Sequence, residues 1–286
     1  MYKLLDGKLV SNNVLKECKD TISKLKENGI EITLCVIKIG EDNASSIYFN
    51  SKKKISQEVG INFKSITFGE DCNTQDVLNI IEGLNCDKNI DGIFIEMPIP
   101  KKFDEKLLCN KICENKDVDG LNNINIGRLE KGEDGLFPCT ALGIIEILKR
   151  YNIILSGKHC VILNRSNVVG RPLLNMLLNL NATVTICHSK TENLQSLCKE
   201  ADILIVGVNK PKFIDKSYVK DGAIVIDVGI HYIESNNERI ICGDVNFDDV
   251  KDICEYITPV PGGVGAMTTS MLVKNCIKAL NLNGKI

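Results

Sequence analysis

The chain is 286 residues long, with 44% hydrophobic and 25% charged residues, the proportions of ordinary globular chemistry in one large or two medium domains. A formal net charge of −2 gives no general attraction to nucleic acid or to an anionic membrane surface. Thirteen cysteines include no C-x-x-C, and His159, His188 and His231 stand singly, so neither a disulfide framework nor a metal site is expected. A reduced, cytoplasmic protein with buried thiols is the better reading, with no signal segment at Met1–Asp6 and no apolar run long enough to span a bilayer.

In chain order, apolar strands alternate with helical patterns. Residues 32–39 are predicted as a strand and 45–59 as a helix, with Gly60 just past its end. A strand at 61–68, a helix at 76–84 and a short apolar strand at 92–97 follow, the last interrupted only by Glu96. Residues 104–115 are predicted helical. Gly120 to Pro138, rich in Asn, Gly and charge, read as a loop between lobes, and 140–151 as a connecting amphipathic helix. The alternation then restarts, with strands at 159–163, 183–187, 202–206 and 223–228, helices at 170–180 and 191–199, and a closing helix at 270–280. Such β-α repetition predicts an α/β fold with parallel sheets covered by helices. The break at 120–138 predicts two lobes: residues 1–139, rejoined by 266–286, and residues 140–265.

The strongest local signal is Val161–Pro172. An apolar strand ends in Asn164-Arg165-Ser166, and Gly170 opens a helix, a layout that presents backbone N–H groups to a phosphate. It is not a G-x-G-x-x-G, and an ordinary strand–helix turn is the plain alternative. The next strand ends in His188-Ser189-Lys190, where an adenosine ribose should lie. Arg165 and Ser189 there would suit a 2′-phosphate, favouring NADP over NAD.

Other residues of chemical interest lie earlier and later. Tyr48 and Lys52 stand one helical turn apart on one face. Lys is useful beside a cofactor because burial can make it a base; the alternative is a surface Lys beside a half-buried Tyr. Lys52-Lys53-Lys54 as a run reads as a solvated helix face. Glu96 at a buried strand's end is costly unless paired, or it turns to solvent. Either aspartate of Asp117-Val118-Asp119-Gly120 serves a turn or a ligand. Thr258–Gly265 is rigid at its prolines and permissive at its glycines, fit to approach a flat ligand closely.

Taken in order, Ile47–Lys52, Asp91–Pro100, Lys116–Leu129, Pro138-Cys139-Thr140, Arg165–Pro172, Cys187–Thr191, Gly222–Gly229 and Thr258–Gly265 resemble the methylenetetrahydrofolate dehydrogenase/methenyltetrahydrofolate cyclohydrolase family. The resemblance covers nearly the whole chain. It implies an N-terminal α/β folate lobe, a Rossmann-type NADP lobe, a C-terminal helix packing back on the first lobe, a cleft site and a homodimer. It also implies hydride transfer from methylenetetrahydrofolate to NADP, then hydrolysis of the methenyl product to formyltetrahydrofolate, as an oxidoreductase and hydrolase of one-carbon metabolism supplying purine biosynthesis. By resemblance Lys52 is the key hydrolase residue, oriented by Tyr48, and Asp119 grips the pterin. Pro259, Gly262 and Gly263 face the folate, while Thr140, Asn164, Arg165, Ser166, Ser189 and Ile230 fall on NADP contacts.

The sequence departs from the family pattern at Glu96 (usually Gln), Leu121-Asn122-Asn123 (usually Phe-His-Pro), Ala141 and Ala266 (usually Pro) and Asn164 (usually Gly). An ionised Glu96 beside Lys52 would disfavour a neutral amine but favour a cationic product. A dehydrogenase with weakened hydrolysis is therefore one alternative. A Rossmann-type dehydrogenase of amino or hydroxy acids, using His231, is a more distant one.

Overall fold

The computed structural model describes residues 2–40, 43–235 and 238–286, without the side chains of 43–48, 234–235 and 238–239. The chain forms two compact units, residues 13–139 with 269–286 and residues 1–12 with 140–268.

In the unit of residues 13–139 and 269–286, a three-stranded parallel sheet runs in the order Asn62–Phe68, Thr33–Ile39, Gly92–Ile95. The central strand is buried at every position but Lys38, as expected of a strand covered on both faces. Cys35, Ile37, Ile39, Ile93 and Ile95 share one cluster with Val77 and Ile81 of the helix Thr74–Cys86 and Leu108 of Glu105–Lys111. The helix Gly7–Glu27, for which the sequence reading had no element, turns Val14, Cys18 and Ile22 inward, four residues apart on one face. The closing helix Thr268–Leu282 packs in this unit. Its buried Asn275 donates from Nδ2 to the carbonyls of Val118 at 2.8 Å and Phe137 at 2.9 Å.

Two expectations here need correcting. The stretch 120–138 is not all loop, because Asn123–Glu130 is helical, started by Asn122, whose Oδ1 accepts the Ile124 N–H at 2.7 Å. Several Asn residues lower helix propensity, but an Asn N-cap offsets part of that cost. The predicted helix 104–115 is only Glu105–Lys111, begun by Asp104, whose carboxylate accepts from the Lys106 and Leu107 N–H groups, and ended by extended backbone at Ile112.

In the unit of residues 1–12 and 140–268, six parallel strands run in the order Lys3–Leu4, Tyr256–Ile257, Ile224–Asp227, Ile203–Val206, His159–Leu163, Thr183–Cys187. The chain leaves His159–Leu163 to both sides, so a topological switch point lies at that strand's carboxyl end, where open α/β sheets bind ligands. The strands Ile203–Val206 and His159–Leu163 are almost wholly buried. The first twelve residues cluster here and not with 13–139. Lys3–Leu4 pairs with Tyr256–Ile257, and the Leu5 N–H donates to Ile257 O at 2.9 Å. A two-residue edge strand is too short to carry a periodic signal. The antiparallel hairpin His231–Ser235 with Glu238–Cys242 was likewise not foreseen.

Candidate active site

Lys52 lies on the helix Asn43–Glu58 and departs from its lysine neighbours. Lys53 and Lys54 are exposed, whereas the Lys52 side chain keeps 16% exposure and the Glu96 side chain only 2%. Lys52 Nζ donates to Glu96 Oε1 at 2.7 Å and Oε2 at 2.9 Å and lies 4.5 Å from the centre of the Phe94 ring. Glu96 sits just past the strand Gly92–Ile95, and its N–H donates to Ile37 O at 2.9 Å. It therefore turns inward and is paired, as burial of a carboxylate requires. An ammonium carries three donors, and two are engaged by Glu96. Tyr48 lies one turn earlier on the helix; its side chain is outside the described residues.

The two aspartates of Asp117–Gly120 divide their roles. Asp117 is buried and accepts the N–H groups of Gly120 at 3.1 Å and Asn122 at 2.8 Å, and the Asn125 amide at 3.2 Å. Burial raises its pKa, opposed by those hydrogen bonds. Asp117 thus builds the turn, and the φ of +73° at Gly120 is the left-handed geometry that favours glycine. Asp119 is hemmed in by protein yet part of its surface stays open. Burial pushes its carboxyl up to about 7, with Asp117 adding to the rise, while the Lys52 ammonium and a hydrogen bond with the Cys139 thiol oppose it. Lys52, Glu96 and Asp119 are therefore brought within electrostatic reach of one another, with Asp119 open to a ligand. Cys139, which the sequence reading placed only within a family string, is buried with its thiol pKa raised, first by that burial and then by Asp119.

Of the departures from the family pattern, Leu121–Asn123 carries a structural residue. Asn122 is buried, and its Nδ2 donates to Ile112 O at 2.8 Å. Ala141 is buried in the helix Cys139–Arg150, and Ala266 ends the short turn Val264–Ala266.

In the six-stranded unit, a cavity of about 240 Å³ opens at the carboxyl ends of three strands, lined by Leu163, Asn164, Arg165, Cys187, His188, Ser189, Leu194, Gly207, Val208, Lys210 and Phe213. Its floor is apolar, while Arg165, Ser189 and Lys210 are exposed at its rim. An apolar slot with cationic and hydroxyl groups at its mouth fits a phosphorylated nucleoside. The adjoining loop is stapled by Asn164. Its Oδ1 accepts the N–H groups of Ser166 at 2.8 Å and Gly170 at 3.1 Å, and its Nδ2 donates to Gly207 O at 2.6 Å. Ser166 Oγ accepts the Val169 N–H at 3.1 Å. The N–H groups of Ser166, Val169 and Gly170 are thus spent inside the loop, contrary to the expectation that this turn presents them to a phosphate. A Cβ on Gly170 would overlap the Asn164 carbonyl, so the close approach of helix to strand requires glycine.

The remaining candidates lie in the same unit. Ile230 is exposed, and Thr140 is the half-buried second residue of the helix Cys139–Arg150. In the Pro259–Gly263 loop, Gly262 O accepts the Lys8 N–H at 2.9 Å, and a Cβ on Gly7 would overlap Gly263 O. The loop thus packs through its carbonyls on the start of the first helix, where Gly7 is the residue the close approach requires, while a Cβ on Gly263 would overlap Pro259 O inside the loop itself. His231 is held by Asp244: its Nε2 lies 2.8 Å from the fully buried Asp244 Oδ1, which fixes the ring through one of its two nitrogens. Asp227 and Asp244, which sequence reasoning missed, are each surrounded by backbone N–H donors. Their only signal was an Asp at the end of an apolar strand and another after Gly243. Among the described residues no cluster of side chains could hold a metal ion.

Comparison with known proteins agrees with this geometry. Residues 5–119 match the model of the tetrahydrofolate dehydrogenase/cyclohydrolase catalytic domain, and residues 138–283 that of the tetrahydrofolate dehydrogenase/cyclohydrolase NAD(P)-binding domain. The chain belongs to the tetrahydrofolate dehydrogenase/cyclohydrolase family. A relative from Agathobacter rectalis named bifunctional protein FolD is 49% identical over 98% of this chain and 99% of its own length. The crystal structure of the bifunctional methylenetetrahydrofolate dehydrogenase/cyclohydrolase from Campylobacter jejuni superposes with a TM-score of 0.95 at 41% identity, covering 99% of this chain and all of that one. The Trypanosoma brucei methylenetetrahydrofolate dehydrogenase-cyclohydrolase, crystallised with NADP cofactor and inhibitor, gives 0.93 at 29% identity, covering 100% and 99%.

Proposed function

We propose that this chain oxidises methylenetetrahydrofolate to methenyltetrahydrofolate with NADP as hydride acceptor, and hydrolyses the methenyl product to formyltetrahydrofolate. The observation that carries the reading is the buried Lys52–Glu96 pair beside the partly open Asp119. Hydride loss leaves positive charge on the one-carbon bridge, and the carboxylate of Glu96 favours that charge electrostatically. Lys52 Nζ keeps one N–H beyond the two given to Glu96, and that donor orients substrate or water. In hydrolysis water adds to the methenyl carbon and gives a proton to Glu96, the member of the pair that can accept one; the hydroxyl proton of the adduct then passes to the departing nitrogen as its C–N bond breaks, leaving the formyl group. Asp119, partly open and acceptor-capable, suits the paired N–H donors of a pterin. The nicotinamide supplies the hydride acceptor. Arg165 and Ser189 at the rim of the strand-end cavity hold the 2′-phosphate that distinguishes NADP, and Thr140, Asn164, Ser166 and Ile230 contribute to cofactor binding. Tyr48 orients Lys52, and Pro259, Gly262 and Gly263 face the folate.

Hydrolysis weakened by Glu96 is not favoured, because relatives at 46–49% identity carry the name bifunctional. An amino- or hydroxy-acid dehydrogenase is not favoured either, since both domain models and the relatives that match are those of tetrahydrofolate dehydrogenase/cyclohydrolase. A homodimer in the cytoplasm remains part of the proposal, supported by the family resemblance and by thirteen free thiols, which suit a reducing compartment.

The test is a spectrophotometric assay of methylenetetrahydrofolate oxidation with NADP and with NAD, followed by decay of methenyltetrahydrofolate. NADP is expected to be preferred. Arg165→Ala should raise the KM for NADP about 10- to 150-fold, as loss of a charge-assisted hydrogen bond implies, while leaving that for NAD nearly unchanged. Absence of methenyl product with either nucleotide would overturn the reading.

A further inference from the structure

The loop Gly207–Lys210, which walls the strand-end cavity, is held by a carboxylate that is itself sealed from solvent. Asp244 is fully buried. Its Oδ2 accepts the N–H groups of Val208 at 2.7 Å and Asn209 at 3.1 Å, and its Oδ1 accepts the Lys210 N–H at 2.7 Å and His231 Nε2 at 2.8 Å. A carboxylate has no proton to give, so Nε2 is the protonated nitrogen. Asp244 is in turn fixed from below. Asp227, at the end of the strand Ile224–Asp227, accepts the N–H groups of Asp244 at 3.0 Å, Val245 at 2.8 Å and Gly229 at 2.9 Å. The two carboxylates form two tiers. The lower fixes the backbone at 244–245, and the upper ties three successive amides of the cavity wall to the segment that carries Ile230 and His231.

We propose that Asp244 is a positioning residue for nucleotide binding: it clamps Val208, Asn209 and Lys210 into the conformation that shapes the cavity wall, with His231 as its orienting donor. The inference rests on the reading that this cavity takes NADP. Four donors converge on two oxygens, and among the described residues these three amides donate to no other acceptor. Asn at this position keeps one acceptor oxygen and turns an NH₂ group toward two donors, so about half of the clamp is lost.

The experiment uses the full chain and three substitutions, Asp244→Asn, His231→Leu and His231→Gln. Amide hydrogen exchange at 208–210 reads the clamp directly. Titration with NADP reads its consequence, and methenyltetrahydrofolate hydrolysis, which consumes no NADP, reads damage elsewhere. Asp244→Asn is expected to speed exchange at these three amides and to weaken NADP binding at least tenfold, with hydrolysis changing less than twofold. His231→Leu should weaken NADP binding about two- to tenfold, and His231→Gln, which keeps a donor, should restore it to within twofold of the parent. If Asp244→Asn does not fold, the contrast between the two His231 variants decides. Equal NADP affinity in all folded variants overturns the inference, as does loss of hydrolysis in proportion to NADP binding. Failure of the parent protein to bind NADP would instead remove the assignment of the cavity, while exchange at 208–210 would still report whether the clamp exists.

Discussion

The Lys52–Glu96 pair makes a prediction about stability that is independent of any substrate. The Glu96 side chain is 2% exposed and both its oxygens take hydrogen bonds from Lys52, at 2.7 and 2.9 Å. Lys52→Met keeps the apolar stem but strands a buried carboxylate. Removing one partner of a buried pair costs about 3–5 kcal/mol, because the remaining charge has lost its compensation. Glu96→Gln costs less, about 1–2 kcal/mol. It leaves an oxygen to accept one bond, and the cation it strands is 16% exposed and reaches water. The double variant Lys52→Met/Glu96→Gln contains neither charge, so its loss should be smaller than the sum of the two singles by about 2–3 kcal/mol, a coupling typical of residues in direct contact. Thermal denaturation resolves these differences. At about 2–4 °C per kcal/mol for a domain of about 150 residues, Lys52→Met should melt about 6–20 °C below the parent, and the double variant should recover several degrees of that. If Lys52→Met melts within about 2 °C of the parent, or if the two losses simply add, the pair is not the buried, mutually dependent unit described here.

Asp119 carries a pH dependence. Its carboxyl is held at about 7 by burial against about 3.9 in an unfolded chain, so between those values the native state binds the extra proton and stability falls as pH rises through that window. Asp119→Asn should flatten that slope. Because the ionised form accepts the pterin's donors, kcat/KM for methylenetetrahydrofolate should rise with pH through about 7 in the parent and show no such inflection in the variant. Lys116 is buried, its pKa lowered by that burial, and its Nζ donates to the carbonyls of Leu84 at 3.0 Å, Asn85 at 2.8 Å and Asp87 at 2.8 Å, closing the end of the helix Thr74–Cys86. Lys116→Met removes the ammonium from all three carbonyls, of which Asp87 O keeps the Ile90 N–H at 3.1 Å, and should cost about 2–4 kcal/mol in urea denaturation; a loss below about 0.5 kcal/mol would refute the capping role. Gly170→Ala places a methyl group on the Asn164 carbonyl, so the loop must move. A destabilisation of about 1–3 kcal/mol together with weaker NADP binding, read by calorimetry, is expected.

What the sequence revealed depended on whether an element announces itself by period. The strands Thr33–Ile39, His159–Leu163 and Thr183–Cys187 are apolar runs bounded by polar residues, and their ends were legible to within one or two residues. The helix Asn123–Glu130 was hidden because its start is made by a cap, Asn122, and not by hydrophobic spacing. The strand Lys3–Leu4 was hidden because two residues have no period. At the site, Lys52 and Glu96 were visible as anomalies, a cation in a helix with an aromatic partner one turn away and a carboxylate in an apolar strand, but their mutual hydrogen bonds join residues 44 positions apart. Cys139 beside Asp119, and Asp244 beneath Val208–Lys210, arise from tertiary placement that no local pattern encodes.

The same placement sorts the acidic residues into two kinds. Asp117, Asp227 and Asp244 each accept two or more backbone N–H groups. Glu96 accepts from a side-chain ammonium, and Asp119 interacts with the Cys139 thiol while keeping open surface. A carboxylate saturated by peptide groups has no acceptor capacity left for a ligand and fixes the chain's path. One whose partners are side chains can change protonation or exchange partners without unfolding the backbone around it. In Asp117-Val118-Asp119-Gly120 the two kinds stand two residues apart and are chemically identical in sequence. The peptide groups of 120–122 converge on the first, and the second is left facing Lys52, so one turn supplies both the scaffold and the acceptor that the proposed chemistry uses.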